Sequence, residues 1–512
     1  YAAGRKSQPA KFRERPGFLE AGVAGTVDFP YNGGKDRQKE GISMKTRTIS
    51  RCAAVLLALA VFLCGCTGGG TSSAGETPPA ESRVESPAPA ASESASSAAP
   101  VSSAIPWQAV SGTVLEESDG VLTLFCTDDA RFYRFSTGSA QVVAKPGDTA
   151  DVIYTGELDP VLPLQDAQVR SVEPTGKSAA QRVLDTMTLA EKVGQLFLAR
   201  CPGEDAAALA KQYHVGGYVL FGQDFADETP ASAAAKIQSY QDAAEVPLWI
   251  AVDEEGGTVN RVSRYPAFRS TPFPSPQAVY ASGGFDAIRE DTQEKCALLK
   301  PLGINLNLAP VCDVTENPDA FMYARAFGQD AAATSTYVET VVSQMRAQGM
   351  ACALKHFPGY GDNADTHTGV AEDTRPKETF ETSDFLPFSA GIAAGADFVL
   401  VAHTVVDCMD AEKPASLSPE VHRVLREELG FAGILLTDDL SMEGLRAFAD
   451  DGEAAVEAVK AGNDLLCCTN FTQQIPAVLD AVEDGTLSED RIDASVLRLL
   501  QVKEAFGLLP AP

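Results

Sequence analysis

Charged and titratable residues lie at the ends of several apolar runs in this 512-residue sequence. Asp253 ends the run 248–253, and Asp438 lies at the end of the run 433–439. Lys355 and His356 lie near the end of the run 351–357, and His403 ends the run 398–403. A buried charge is costly unless it is paired or used. These side chains are therefore candidates for chemistry, provided that the runs are neighbouring strands that end on the same face.

Two kinds of chemistry fit a group of aspartates and histidines at such a face. One is metal-dependent hydrolysis, in which these side chains hold zinc or a similar ion. The other is cleavage of a glycosidic bond, which needs a carboxylate nucleophile and a separate proton donor. Barrels of the first kind usually begin with a His-x-His pair, whereas the first run here ends Phe197-Leu-Ala-Arg200. The sequence favours the second chemistry, which needs no metal and no organic cofactor.

Eight apolar runs that alternate with helical segments predict how these residues are positioned. The alternation begins after the capping box Thr188-Leu-Ala-Glu191. It predicts the α/β class, with a (β/α)8 TIM-type barrel over residues 176–512 whose active site lies at the carboxyl ends of the strands. The expected strands are 193–199, 216–221, 248–253, 304–310, 351–357, 398–403, 433–439 and 464–469.

Residues 106–175 contain short alternating segments separated by Asp/Gly and Pro-Gly turns. This pattern predicts a small all-β domain, either an antiparallel barrel or a sandwich. Such domains sometimes bind oligosaccharides, and they also serve as spacers. The sequence leaves both roles open.

The N-terminal region is predicted to consist of leader and linker. Residues 44–66 have basic residues before a short apolar run, as in a signal peptide, and the segment Leu63-Cys-Gly-Cys66 resembles the lipobox of bacterial lipoproteins. That resemblance implies acylation of Cys66 and an extracytoplasmic protein held to the membrane only through its N-terminal lipid. Residues 67–105, rich in Gly, Ser, Ala, Pro and Glu, are expected to form a disordered tether. Residues 1–43 precede Met44 and are interpreted as upstream translation outside the native protein.

Composition excludes some classes of partner. The formal net charge is −29, so the chain should repel nucleic acid. The 11 cysteines show no Cys-x-x-Cys spacing, which indicates small core residues rather than a zinc or redox site. We expect a monomer.

Six segments of the predicted barrel resemble glycoside hydrolase family 3, and in particular its single-barrel β-N-acetylhexosaminidase branch. They occur in order between residues 179 and 509 and fall at predicted strand ends. The segments are Leu184-Asp-Thr-Met-Thr-Leu-Ala-Glu-Lys-Val-Gly-Gln195, Ala251-Val-Asp-Glu-Glu-Gly-Gly-Thr-Val-Asn-Arg261, Asn307-Leu-Ala-Pro-Val-Cys-Asp313 with Ala324-Arg-Ala-Phe-Gly328, Lys355-His-Phe-Pro-Gly-Tyr-Gly361, Asp365-Thr-His367, and Thr437-Asp-Asp-Leu-Ser-Met442.

The resemblance implies a role for each matching residue. Asp438 is the nucleophile that forms a glycosyl-enzyme. Its neighbour Asp439 is interpreted as structural on a different ground, because it would point to the opposite face of the strand or its turn. His367 is the proton donor on the loop after the fifth strand, with Asp365 orienting it, because a histidine titrates near neutral pH. The residues implied to bind the hydroxyl and acetamido groups of the terminal sugar are Asp253, Arg261, Arg325, Lys355 and His356. Mutual salt bridging among these five is the structural alternative, and the two roles are compatible.

The resemblance has three departures, none of which removes a proposed catalytic group. Thr258 stands where the branch often has Arg, Tyr360 where it often has His, and Ala326 where it often has Ser. The expected function is hydrolysis of terminal β-linked N-acetylglucosamine from oligosaccharides or muropeptides. Three alternatives stay open: a β-glucosidase or xylosidase, a phosphorylase, and a surface lectin without turnover.

Overall fold

The computed structural model describes residues 106–160, 162–366 and 368–509. They belong to one compact unit, Ser97–Pro512. The predictions for residues 1–43, 44–66 and 67–105, with lipidation of Cys66, fall outside the described residues, as does His367.

A six-stranded sheet precedes the barrel. Its strand order is β3-β2-β1-β5-β6-β4, antiparallel except for the β4–β6 pair. A bridge between Phe135 and Gln165 brings the β3 edge next to the segment that enters β6. The strands are β1 Gln108–Ser118, β2 Val121–Cys126, β3 Arg131–Ser136, β4 Gln141–Val142, β5 Asp148–Thr155 and β6 Gln168–Lys177.

Eight parallel strands form the second sheet, in the order β16-β13-β11-β10-β9-β8-β7-β17. A bridge between Leu436 and Leu465 joins β16 to the segment that enters β17, so the sheet closes on itself. The predicted (β/α)8 barrel is therefore confirmed. The strands are β7 Phe197–Arg200, β8 Gly217–Leu220, β9 Trp249–Val252, β10 Leu306–Asn307, β11 Ala351–Phe357, β12 Glu372–Asp373, β13 Phe398–Val401, β14 Val405–Val406, β15 Asp410–Pro414, β16 Ile434–Thr437 and β17 Leu466–Cys468, of which β12, β14 and β15 form a small separate sheet.

Helices connect the barrel strands, and the predicted capping box begins α2, where Thr188 and Glu191 each cap the other's backbone. The helix α5 is interrupted at Gly283 and Gly284. The helices are α1 Ala179–Leu184, α2 Leu189–Gln195, α3 Ala206–Tyr213, α4 Pro230–Ala243, α5 Pro276–Leu299, α6 Ala331–Ala347, α7 Lys377–Thr379, α8 Phe385–Ala393, α9 Pro419–Arg423, α10 Glu443–Arg446, α11 Asp451–Ala461, α12 Phe471–Glu483 and α13 Glu489–Ala505.

Two predicted strands differ most from the observed ones, and five others are shorter than predicted by one or two residues at an end. Residues 193–195, expected to begin the first strand, are the last turn of α2. Their side chains are buried, and a buried helical turn is as apolar as a strand. In the run 304–310 only Leu306 and Asn307 form a strand, and Pro310 has no N–H to extend the ladder.

The interior of the barrel is packed with side chains. Trp249, at the start of β9, lies edge-on to Phe398 and to Phe506, with ring centroids 5.2 and 5.8 Å away. Because Phe506 follows α13, the C-terminal helix helps to close the amino end of the barrel. The opposite, carboxyl end is left for the site.

The N-terminal sheet lies against the amino end of the barrel. Arg346 donates to Asp397, which precedes β13, at 2.7 Å and to the Ala130 carbonyl at 2.8 Å. Arg134 donates to the carbonyl of Arg426, which precedes β16, at 2.7 Å. These contacts place the sheet away from the strand ends where the chemistry is expected.

Two further observations concern membrane-spanning helices and the cysteines. None of the helices in the described part of the chain has the length and apolar character needed to span a membrane. All eight cysteines among the described residues are free thiols, and only Cys408 is not fully buried. Their role as small core residues is confirmed for this part of the chain.

Candidate active site

The predicted site residues follow the carboxyl ends of neighbouring strands. Asp253 comes directly after β9, and Asp438 comes directly after β16. Lys355 and His356 lie in the last half of β11. Since the barrel strands are parallel, these side chains lie at the same end of the barrel.

A buried lysine is the centre of the site. The Nζ of Lys355 lies 2.7 Å from Oδ1 of Asp253 and 2.6 Å from Oε1 of Glu255. Arg325 binds the same Glu255 through both carboxylate oxygens, at 2.7 and 3.0 Å. Arg261 lies 3.5 Å from Oδ2 of Asp253. Four of the five residues predicted to bind sugar thus meet, directly or through Glu255, and this group is called the Lys355 cluster.

All charges of the Lys355 cluster are mutually stabilised. Burial alone would raise the pKa of Asp253, but Lys355 and Arg261 hold it below its ordinary value. The pKa of Glu255 is likewise lowered by Lys355 and Arg325 against the effect of burial. Burial would lower the pKa of Lys355, yet the two carboxylates raise it. The cluster therefore stays ionised and presents fixed donors and acceptors.

His356 is held between an acid and a base. Its Nδ1 lies 2.8 Å from Oδ2 of Asp313, and its Nε2 lies 3.2 Å from a terminal nitrogen of Arg325. Because a guanidinium only donates, Nε2 accepts from Arg325 and the N–H at Nδ1 donates to Asp313. His356 thus extends the Lys355 cluster, which completes the set of five predicted residues.

Asp438 is the first residue of a turn that the side chain of Asp439 stabilises. Its own carboxylate accepts from the backbone N–H of Asp439 at 2.9 Å. The Asp439 carboxylate accepts from the hydroxyl of Ser441 at 2.8 Å and that of Thr469 at 2.7 Å. Asp439 therefore holds the turn together, and both Asp438 and Asp439 are partly exposed residues.

His403 supports this turn from below. The residue is fully buried, with Nδ1 2.7 Å from the Ser416 hydroxyl and Nε2 3.0 Å from the Asp439 carbonyl oxygen. Since a carbonyl only accepts, Nε2 carries the proton. The histidine at this strand end fixes the backbone beside Asp438 and has no place in the sugar-binding group.

The segment around the predicted proton donor is anchored to the turn that follows Asp438. Thr366 is fully buried, and its carbonyl oxygen accepts from the N–H of Gly444 at 3.0 Å. Its hydroxyl lies 2.5 Å from the hydroxyl of Tyr360. The negative charge of Asp365 is close enough to raise the pKa of Tyr360, together with burial and Asp438. His367 comes next in the chain and is not described.

An arginine closes the base of this segment. Arg375 donates to Asp373 at 2.7 Å, to both oxygens of Asp384 at 3.1 Å, and to the Gly359 carbonyl at 3.1 Å. Both carboxylates are buried. One guanidinium thus ties Gly359 to the segment around Arg375, and the described residues between them, 360–366 and 368–374, are called the 359–375 loop.

A second buried carboxylate shapes the segment that carries Arg261. Glu254 accepts from the backbone N–H groups of Arg261, Val262 and Ser263 at 2.9, 2.8 and 3.2 Å. This is why neighbouring glutamates differ in role: Glu254 folds the loop backbone, whereas Glu255 binds Lys355. Gly256 and Gly257, which follow Glu255, have positive φ angles, and these suit the tight turn at this point.

Two residues of the site were absent from the sequence prediction of site residues. Glu255 and Asp313 were quoted only as parts of motifs, although Glu255 bridges Lys355 and Arg325 and Asp313 holds His356 and the backbone of Tyr360. The available signal was their position, because each is a carboxylate a few residues after a predicted strand. What the sequence could not supply was their partners, which lie 43 to 100 residues away.

The described residues of the site have groups that suit a glycoside. The Lys355 cluster and His356 offer ionic donors and acceptors, which suit hydroxyl and amide groups because a missing partner is costly in a buried site. Asp438 is a carboxylate of the kind that attacks an anomeric carbon.

Comparison with known proteins agrees with this geometry. The profile of the Glycosyl hydrolase family 3 N terminal domain matches residues 188–502. Beta-hexosaminidase A of Pseudoalteromonas piscicida is 29% identical over 334 residues, covering 58% of this chain and 55% of that protein. Beta-hexosaminidase LpqI of Mycobacterium tuberculosis is 31% identical over 365 residues, covering 68% and 90%.

A solved structure gives the same result. It is that of a glycoside hydrolase family 3 beta-N-acetylglucosaminidase from Paenibacillus sp. str. FPU-7, with a TM-score of 0.59, 34% identity and coverage of 64% of each chain. This chain therefore spans a little over half of the first relative and about two thirds of the solved one. Since the matched residues 188–502 are more than half of the chain and contain every barrel strand, the chain belongs to glycosyl hydrolase family 3.

Proposed function

We propose that this protein is a retaining exo-β-N-acetylhexosaminidase that removes terminal β-linked N-acetylglucosamine. The names of the two relatives and of the solved structure support this substrate. The observation that carries the proposal is the hydrogen bond from Gly444 to Thr366, which ties the segment next to His367 to the turn after Asp438. Nucleophile and proton donor need such proximity to act on one bond.

The reaction would run in two steps. Asp438 attacks the anomeric carbon and forms a glycosyl-enzyme, while His367 gives its proton to the departing oxygen and Asp365 supports the imidazolium. His367 then takes a proton from water, whose oxygen attacks the anomeric carbon and releases Asp438. The Lys355 cluster and His356 hold the hydroxyl and acetamido groups throughout.

Turnover of p-nitrophenyl N-acetyl-β-glucosaminide by wild type, Asp438→Asn and His367→Ala tests this proposal. We expect Asp438→Asn to lose nearly all turnover. His367→Ala should lose about 10²- to 10⁴-fold on substrates with poor leaving groups and less on this activated one. Asp242→Asn, which changes an exposed carboxylate on α4, is the matched control and should behave as wild type.

Other outcomes identify the alternatives. Faster cleavage of the glucoside or xyloside would reject the substrate, and sugar 1-phosphate in phosphate buffer would indicate a phosphorylase. Sugar binding by the wild type without any turnover would indicate a lectin. Full activity of Asp438→Asn would reject the mechanism.

We also propose that acylated Cys66 anchors the protein outside the cytoplasm, where it acts on cell-wall fragments such as muropeptides. The apolar run followed by Leu63-Cys-Gly-Cys66 supports this location. In cells, Cys66→Ala should move the protein from the membrane to the soluble fraction. An unchanged membrane fraction would argue against the lipid anchor.

A further inference from the structure

Three ligand-type side chains meet at the face of the barrel opposite the candidate active site. They are Glu191, His214 and Glu245, and one donor atom from each lies within 4.8 Å of the others. Glu191 is in α2 before β7, His214 follows α3 before β8, and Glu245 follows α4 before β9. Three consecutive helix-to-strand connections thus converge at the amino ends of their strands. Within the described ranges this is the one group of three or more such residues that could hold a metal ion.

The position of His214 is fixed by its backbone. Gln195 donates to the His214 carbonyl at 2.8 Å, and the N–H of Gly216 donates to the Gly194 carbonyl at 3.0 Å. A side chain at Gly194 would collide with that same His214 carbonyl, so the close approach depends on glycine. Since Gln195 is one helical turn after Glu191, the imidazole is held on the face of α2 that carries the Glu191 carboxylate.

The Glu191 carboxylate is also held in place. Its Oε2 accepts from the N–H and hydroxyl of Thr188 at 2.6 and 2.7 Å, and a side-chain hydrogen bond links Glu191 to Glu245. The short connection that carries Glu245 is braced by Gln241, whose side chain bonds both the N–H and the carbonyl of Leu248. Glu191 is therefore held by its helix cap and His214 by its backbone, whereas the Glu245 side chain is exposed.

The two glutamate carboxylates would favour a bound cation in place of the hydrogen bond that links them. Two carboxylates side by side repel each other unless a proton or a cation lies between them. Among the described residues, no lysine or arginine forms an ion pair with Glu191 or Glu245. A cavity of about 250 Å³ lined by Glu191, His214, Glu245 and Gln195 adjoins them, which is room for an ion and its water.

We propose that Glu191, His214 and Glu245 form a structural zinc site. One imidazole nitrogen with two carboxylate oxygens suits Zn²⁺, whereas Ca²⁺ and Mg²⁺ prefer oxygen ligands alone. Tetrahedral zinc holds its ligand atoms roughly 3.4 Å apart. Side-chain rotations that move the three donor atoms by about 1 Å would bring them to this spacing, and a water from the cavity would be the fourth ligand. The ion joins α2, α3 and the end of α4 and stabilises the folded barrel without taking part in the reaction.

Calorimetric titration with ZnCl2 tests the site, using the full chain without a histidine tag after EDTA treatment and desalting. We expect one ion to bind per chain, a higher Tm with Zn²⁺, reversal by EDTA, and no comparable effect of Mg²⁺ or Ca²⁺. His214→Asn keeps a residue that tolerates the left-handed backbone at φ 52°. It and Glu245→Gln should each weaken binding by more than about tenfold.

Two controls separate this site from other zinc binding and from the proposed function. Glu483→Gln changes an exposed carboxylate elsewhere and should bind as wild type. Asp438→Asn should also bind zinc as wild type, even though it is expected to lose turnover. Zinc binding that is lost only in Asp438→Asn would assign the metal to the active site and overturn the proposal.

Wild-type crystals give a second, independent measurement. Anomalous scattering at the zinc edge should give a peak between the three donors after soaking with ZnCl2. This result does not depend on whether the variants fold. Absence of the peak, or undiminished binding by folded His214→Asn and Glu245→Gln, would overturn the proposal.

Discussion

Tyr360 connects the sugar-binding residues to the 359–375 loop. Its N–H donates to Asp313 at 2.8 Å, and its ring lies edge-on to His356 with centroids 5.4 Å apart. Its hydroxyl reaches Thr366, next to the predicted proton donor. Burial and the nearby charge of Asp438 raise the pKa of Tyr360, so the hydroxyl keeps its proton throughout the range in which the enzyme would act.

Tyr360→Phe should therefore affect proton donation more than sugar binding. Losing one hydrogen bond of about 1 kcal/mol to the loop predicts a roughly fivefold lower kcat on substrates with poor leaving groups. The p-nitrophenyl substrate, which needs less proton donation, should be less affected, and KM should change little. Steady-state kinetics on both substrates measures this. Tyr280→Phe, in an aromatic cluster on α5, is the control, and an equal loss on both substrates would contradict the role.

Individual site residues could be predicted where their position at the end of a strand alone placed their side chains at the mouth of the barrel. Asp253 and Asp438 end strands, and that alone places them at the mouth of the barrel. Glu254 and Glu255 show the limit, since both follow β9 and only one faces Lys355. Which of two adjacent carboxylates turns inward depends on partners far along the chain.

At the scale of elements, the 359–375 loop depends on one close backbone contact. A Cβ at Gly444 would lie 2.8 Å from the carbonyl oxygens of both Thr366 and Gly369. The glycine therefore lets the loop lie directly on the turn that follows Asp438. Because backbone atoms are on the other side, nothing can rotate out of the way.

Gly444→Ala should push the loop away from Asp438. We expect turnover of N-acetylglucosaminides to fall at least tenfold, because a displacement near 1 Å in a catalytic group is enough for such a loss. The unfolding temperature should change little, since the barrel core is untouched. Kinetics and thermal unfolding measure the two effects. Gly485→Ala is an instructive comparison, since a Cβ there meets open space and any effect reports only its positive φ.

The existence of the barrel elements could be predicted better than their limits. Alternating apolar runs predicted every strand of the barrel, but residues 193–195 are helical and the fourth strand has two residues. Composition shows that a segment is buried, whereas the hydrogen-bond ladder decides where a strand begins. That ladder depends on neighbouring strands and is not encoded locally.

At the scale of the molecule, the C-terminal helix α13 brings a charge into the base of the barrel. Lys503 is fully buried, and its Nζ donates to Gln195 at 2.8 Å and to the Gly216 carbonyl at 3.1 Å. Neither partner is a carboxylate, and burial lowers the pKa of Lys503 to about 7. The folded state therefore binds this proton less tightly than the unfolded state, whose lysine has an ordinary pKa of 10.5.

Lys503→Met should raise stability most at low pH. Below about pH 7 the lysine is charged in both states and its full desolvation cost is present. Between pH 7 and pH 10.5 the folded state loses the proton first, so the cost declines as pH rises. Urea unfolding at pH 6 should give a free energy of unfolding higher by on the order of 1 kcal/mol or more, after subtracting the loss of the two Lys503 hydrogen bonds. This gain should shrink toward pH 10. Lys460→Met, at an exposed position, should show no such trend, and a gain independent of pH would contradict the assignment.

The residues of the Lys355 cluster share ion-pair partners, and this limits which substitutions the protein could accept during evolution. Glu255 forms ion pairs with two cations, and Lys355 forms ion pairs with two anions. Replacing any one of these charged residues therefore leaves its buried partners without that counter-charge. A stranded buried charge costs several kcal/mol, which few intermediates would survive. Descendants with a different sugar preference should therefore keep these positions as an indivisible set and vary the residues around them.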